Sequence, residues 1–166
     1  MSIFPTRILL ATDGSEAAVQ ATLRAVDIAD ETNSDLHMVH VGVVPTFLVS
    51  YPGTLGYDHK LYEHIEEGSR ELLRKESWRV KAAGGTVSGA HLRMGAVDLE
   101  IVALANELDV GLIVMGCRGH QGIRRAIEGS ISDAVIHHAP CPVLVVCSPK
   151  GAKAPEQHPI TPMGER

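Results

Sequence analysis

Aromatic residues are scarce in this sequence. Two Phe, three Tyr and one Trp make up 4% of the chain, so its core must be built from Val, Ile, Leu, Ala and Met. An excess of positive charge is also missing. Fifteen Lys and Arg stand against 20 Asp and Glu, a formal net charge of −5. A basic face is what binding to bulk nucleic acid or an anionic membrane usually needs, so neither partner is expected. A single phosphate ligand is not excluded, because a nest of backbone N–H groups can bind an anion on an acidic protein. Long apolar runs are absent too. No window approaches the ~18 consecutive apolar residues of a transmembrane helix. Cysteine is limited to Cys117, Cys141 and Cys147, with no pair at zinc-finger spacing. An odd count without a dense framework predicts reduced thiols and a cytoplasmic location.

What is present is an ordinary globular composition, 45% hydrophobic and 21% charged over 166 residues. That length suits one domain. The segment from Met1 to Leu10 has one Arg and a short apolar run leading into Thr12-Asp13-Gly14, which reads as a strand rather than a signal peptide. From Ser148 onward Pro, Lys, Glu and Gly dominate, so 1–147 is expected to be the domain and 148–166 a mobile tail.

Between these limits, short apolar runs alternate with longer amphipathic stretches. Strands are expected at Arg7 to Ala11, Asp35 to Val44, Thr86 to Arg93, Gly111 to Met115 and Pro142 to Cys147. Helices are expected at Glu16 to Glu31, capped by Ser15, at Asp58 to Ala83, stopped by Gly84-Gly85, at Val97 to Leu108, and from Ser130 to His138. The stretch from Pro45 to Tyr57 reads as a loop whose Phe47, Leu48, Tyr51 and Leu55 either pack on the sheet or form a lid. Strands alternating with helices imply βαβ units and a parallel sheet, an α/β fold. Strands that are nearly continuous apolar runs imply helices on both faces. In such open sheets ligands bind beyond the carboxyl ends of the strands.

Two strand ends carry unusual chemistry. The first is Thr12-Asp13-Gly14. The second is Gly116-Cys117-Arg118-Gly119, followed by nine residues and then Gly129-Ser130, where a helix begins. Glycines allow positive φ and close backbone approach, so successive N–H groups can converge on phosphate oxygens. Ser130 adds a hydroxyl, and the new helix adds the positive end of its dipole. Ser130 with Asp133 is also a capping pair, so each part alone has a purely structural explanation. No Lys precedes Ser130, so this is not a Walker loop, and the dinucleotide pattern GxGxxG is absent after the first strand.

The pattern GxxG, nine residues, then GS resembles the nucleotide signature of the ATP-binding universal stress proteins. The segments ILLATDGSEAA, DVGLIVMGCRG and GSISDAVIHHAPCPVLVV are similar to that family as well, framing residues 3–147. The resemblance implies an open, Rossmann-like five-stranded parallel sheet of order 3-2-1-4-5. It implies a homodimer through the last strand, Pro142 to Cys147. It also implies a site. Ala11, Thr12 and Asp13 would line the adenosine side, and the backbone at Val41 would meet adenine. Met115 and Gly116 would stand beside ribose and α-phosphate, and Arg118, Gly119, Gly129, Ser130 and Ile131 would surround the phosphates. Cys117, His120 and Gln121 depart from the family's usual residues. Asp13 has two readings, as a ligand to ribose or metal and as a side chain that shapes the turn.

The function implied is a stress-response or signalling protein that binds ATP, with magnesium or manganese as the candidate counter-ion. Two alternatives remain: a slow ATPase or phosphotransfer enzyme, and a nucleotide-free dimeric interaction module. Phosphotransfer needs a positioned base and carboxylates on a metal. Asp13 is the sole obvious acid near the site, with Glu128 in the loop, so binding with at most weak hydrolysis is expected. Nine histidines invite a protein-held metal, but His37 and His40 fall on opposite strand faces, and His137 and His138 diverge on a helix. No metal site is expected.

Overall fold

The computed structural model describes residues 6–45, 59–117 and 131–147. It is an α/β layer structure. Strands β1 (Arg7–Ala11), β2 (Asp35–Gly42), β3 (Gly89–Met94), β4 (Leu112–Gly116) and β5 (Val143–Val146) form one parallel sheet of order β3-β2-β1-β4-β5. Helices α1 (Glu16–Thr32), α2 (His59–Ala82), α3 (Val97–Glu107) and α4 (Ile131–His138) connect or flank them. The strand order and the two-sided helical cover agree with the sequence reading.

Alternation along the strands sorts the core into two layers. Leu9, Ala11, Val39, Val41, Ile113 and Met115 face Ile101, Leu104 and Ala105 of α3 and Val135 of α4. Ile8, Leu10, Leu36, Met38 and Val114 face Ala21, Ala25 and Val26 of α1 and Leu73 and Val80 of α2. Ile8, Leu9, Leu10, Ile113 and Val114 are completely buried. Each such side chain contributes about 1.5–3 kcal/mol relative to exposure, and the central strands β1 and β4 carry most of it. The alanines of α1 let that helix lie close to the sheet.

Local signals set the ends of the elements. The Ser15 side chain accepts a hydrogen bond from the Ala18 N–H (3.2 Å), which satisfies one of the unpaired donors opening α1. Asn33 closes the helix in the left-handed conformation. The third strand starts later than its apolar pattern suggests. Ser88 N–H still bonds the Leu36 carbonyl (2.8 Å), but the ladder with β2 begins at Gly89, opposite His37.

One expectation is corrected. Cys117 and Cys147 are not separate reduced thiols but form a disulfide, with Cα atoms 5.0 Å apart. The cause is register. Gly116 pairs with Val146 across β4 and β5, so the next residue on each strand is a neighbour, and Cys117 N–H donates to the Val146 carbonyl (2.8 Å). Cys141 is free and half-buried, and burial pushes its thiol pKa up. Among the described residues no helix is long and apolar enough to cross a membrane.

Candidate functional site

The carboxyl ends of β1, β2 and β4 open onto a cleft of about 270 Å³. Ala11, Thr12 and Asp13 enter it from β1, Val39 to Val43 from β2, and Met115 and Gly116 from β4. Ile131 and Ser132 from the start of α4, and Val97 and Ile101 from α3, close the opposite wall. The cleft therefore spans the point where the chain's order across the sheet reverses on either side of β1.

Seven of the residues expected at a site meet here: Ala11, Thr12, Asp13, Val41, Met115, Gly116 and Ile131. Arg118, Gly119, Gly129 and Ser130 lie outside the described residues, as do His120 and Gln121, the apolar loop residues Phe47, Leu48, Tyr51 and Leu55, and 148–166. The glycine segment leaves the described chain after Cys117 and rejoins it at Ile131, so Gly116 and Ile131 fix both its ends at the cleft.

The β1 end is held by its own hydrogen bonds. Thr12 N–H donates to the Val39 carbonyl (3.0 Å), extending the sheet one residue beyond β1. Gly14 N–H donates to Thr12 Oγ1 (3.3 Å), and Ser15 N–H donates to Asp13 Oδ1 (3.0 Å). Asp13 thus organises the turn into α1 while also lining the cleft, so its two proposed roles are compatible. A carboxylate at this point also faces the positive end of α1.

Gly116 has a different reason for its lack of a side chain. A Cβ there would sit 2.6 Å from the Ala17 carbonyl carbon and 2.7 Å from the Ala18 nitrogen. The end of β4 touches the backbone of the first turn of α1, which brings the mouth of the glycine segment against a helix N-terminus. The sequence pattern pointed to Gly116 for phosphate approach, but this helix contact depends on tertiary packing.

Sequence reasoning missed His40. Its Nδ1 donates to the Thr12 carbonyl (2.8 Å), which ties the β2 end to the β1 end inside the cleft wall. Nothing in its local sequence signals this, because the bond depends on β1–β2 register. Ser69 reaches the cleft from α2 beside Gly42 and was missed because that contact depends on how α2 packs on the sheet.

Comparison with known proteins places this arrangement. Residues 5–147 match the model of the universal stress protein family. A universal stress protein of Methanocaldococcus jannaschii is 34% identical over 149 residues, covering 87% of this chain and 83% of that protein. A putative universal stress protein of Staphylococcus haemolyticus is 37% identical over 140 residues, covering 84% and 82%. Among solved structures, the universal stress protein UspA of Lactobacillus plantarum superposes with a TM-score of 0.69 at 26% identity, covering 87% of this chain and 99% of that one. A universal stress protein solved with cAMP has a TM-score of 0.65 at 24% identity, covering 86% and 97%. One from Archaeoglobus fulgidus solved with dAMP has a TM-score of 0.58 at 23% identity, covering 87% and 99%. The last two speak for the fold.

Proposed function

The chain belongs to the universal stress protein family, and from that premise we propose that it binds an adenine nucleotide, ATP, in the cleft between the ends of β1, β2 and β4. One observation carries the reading. Residues far apart in sequence, Ala11 to Asp13, Val41, Met115, Gly116 and Ile131, line one cleft at the switch point of the sheet. Small-molecule sites usually enclose about 300–1,000 Å³. The described cleft lies just below that range, which suits the nucleoside, with the phosphates running toward Arg118, Gly119, Gly129 and Ser130. Adenine meets the backbone at Val41, and Asp13 takes ribose hydroxyls.

The role of the nucleotide is regulatory rather than consumed. Asp13 is the one carboxylate among the described lining residues, and Ser15 N–H already engages it. A phosphotransfer centre needs more. One carboxylate together with nucleotide phosphates is still a donor set that magnesium or manganese accepts, with Asp13 the residue that would hold it. ATP shifts the protein between states only if the two bind it unequally. We also assign the protein to the cytoplasm and to a homodimer paired through β5, an edge strand whose Leu144 is 36% exposed.

The test is to denature freshly purified protein, identify released nucleotide by chromatography, and titrate the emptied protein with ATP, ADP, AMP and cAMP by calorimetry. Release of ATP and tightest binding of ATP are expected. No released nucleotide and no heat with any of the four would refute the reading.

A further inference from the structure

A second feature lies on the same face of β2 as Val39 and Val41, toward the opposite end of the strand from the cleft. His37 on β2 and His91 on β3 project from the same face of the sheet, because His37 pairs with Gly89 and Val39 pairs with His91. Their rings lie with centroids 5.5 Å apart, and His37 Nδ1 is 3.3 Å from His91 Nε2. Gly89 shows where both nitrogens aim. A Cβ built there would lie 2.7 Å from His37 Nδ1 and 2.9 Å from His91 Nε2. Any other residue at position 89 would collide with both imidazole nitrogens, so glycine is what lets the two rings converge over this point.

We propose that His37 Nδ1 and His91 Nε2 form a two-imidazole binding site for a divalent transition-metal ion, zinc above all, over Gly89 on the β3 edge of the sheet. Zinc–nitrogen bonds of about 2.0–2.1 Å in tetrahedral geometry put neighbouring ligand atoms about 3.3–3.4 Å apart. The observed 3.3 Å separation already meets that demand. Imidazole is a ligand for zinc, copper, nickel and cobalt, whereas magnesium and calcium take oxygen donors.

Protonation favours the ion. Burial, the facing His37 and the neighbouring Arg93 hold the His91 pKa below its ordinary value, so a lone pair is available at neutral pH. Arg93 is itself paired with Glu107 of α3, which pulls the other way. Without metal, one ring donates its hydrogen to the other. With metal, both nitrogens present lone pairs, and each ring keeps its proton on its remaining nitrogen, Nε2 of His37 and Nδ1 of His91. Among the described residues no third His, Cys, Asp or Glu joins the pair, so water completes the coordination. β3 is an edge strand, which leaves water and ions a way in. The site lies about 13 Å along β2 from Val41, at a strand rise of about 3.3 Å per residue, and does not depend on the nucleotide reading.

The experiment uses the full chain without a purification tag. Cobalt(II) is titrated while visible absorption is followed, and zinc is titrated by calorimetry. One equivalent per chain, with the visible bands of histidine-bound cobalt displaced by zinc, is the expected result. His37→Asn and His91→Asn should each abolish it with the circular dichroism spectrum unchanged, and His137→Asn should not. Gly89→Ala should weaken it at least tenfold, by pushing the two ring nitrogens out of place. Ring ¹⁵N resonances of the unmodified protein give a check that needs no variant. Zinc should shift those of His37 and His91 ahead of the other histidines. No binding in the unmodified chain, equal binding by both Asn variants, or first shifts at other histidines would each overturn the proposal.

Discussion

Gly116 and Ala17 meet backbone to backbone. The space a Cβ would need at Gly116 is taken by the Ala17 carbonyl carbon, 2.6 Å away. The end of β4 and the opening turn of α1 are therefore one packed unit, although most of the chain separates them. Gly116→Ala forces these backbones apart. An expected cost of about 1–3 kcal/mol in urea unfolding, typical of overpacking, should come with weaker ATP binding. Unchanged stability would show that the contact is not close in solution.

Asp13 separates turn from ligand. Asp13→Asn keeps an oxygen for the Ser15 N–H and loses the charge, whereas Asp13→Ala loses both. If the carboxylate contacts ribose or metal, calorimetry should show Asn weakening ATP binding about tenfold or more, the equivalent of about 1.5 kcal/mol for a charged bond. Full affinity in the Asn variant would leave Asp13 a turn residue only.

The disulfide closes a loop between positions 30 apart in sequence. In the chain-entropy account such a closure adds about 3–4 kcal/mol by restricting the unfolded chain. Urea unfolding with and without a reductant should differ by about that amount, and Cys147→Ser should remove the difference. Equal curves in the unmodified protein would mean that the bond does not form.

His91 gives stability a pH dependence of known sign. Its pKa is lowered by folding, so the unfolded chain binds the proton more readily. Its contribution is therefore fully present above the unfolded value of about 6.5 and is lost as pH falls through the lowered folded value. Denaturant midpoints measured from pH 7.5 down to 5 should decline less steeply in His91→Asn than in the unmodified chain. Parallel declines would contradict the assigned shift.

Leu144 stands on the exposed edge strand proposed as the dimer seam. Leu144→Lys should turn a dimer into a monomer in size-exclusion chromatography with light scattering, without loss of secondary structure. A monomeric unmodified chain would end the dimer proposal.

Much of this architecture could be read from local pattern. After its exposed Arg7, β1 is an unbroken apolar run from Ile8 to Ala11 because it is covered on both faces, and its limits are those expected. Ser15 announced α1 because its hydroxyl has one obvious donor within reach, at Ala18. The unread features depend on tertiary pairing, most of them on register between strands. The Cys117–Cys147 bond follows from pairing Gly116 with Val146, and the His37–His91 contact from pairing His37 with Gly89. His40 met Thr12 through β1–β2 pairing. Parity placed His37 and His40 on opposite faces but could not say which strand would stand beside either one. The seven cleft residues were found through a family likeness, and they converge through the same pairings.

The cleft draws on both ends of the chain. Its β1 floor pairs with β2 on one side and with β4 on the other, and Ala11 aligns with both Val39 and Met115. A ribosome that has made only the first hundred residues has made one bank of the cleft and not the other. A ligand there adds its binding free energy to the whole fold at once, and a proteolysed or half-made copy has no site with which to claim it.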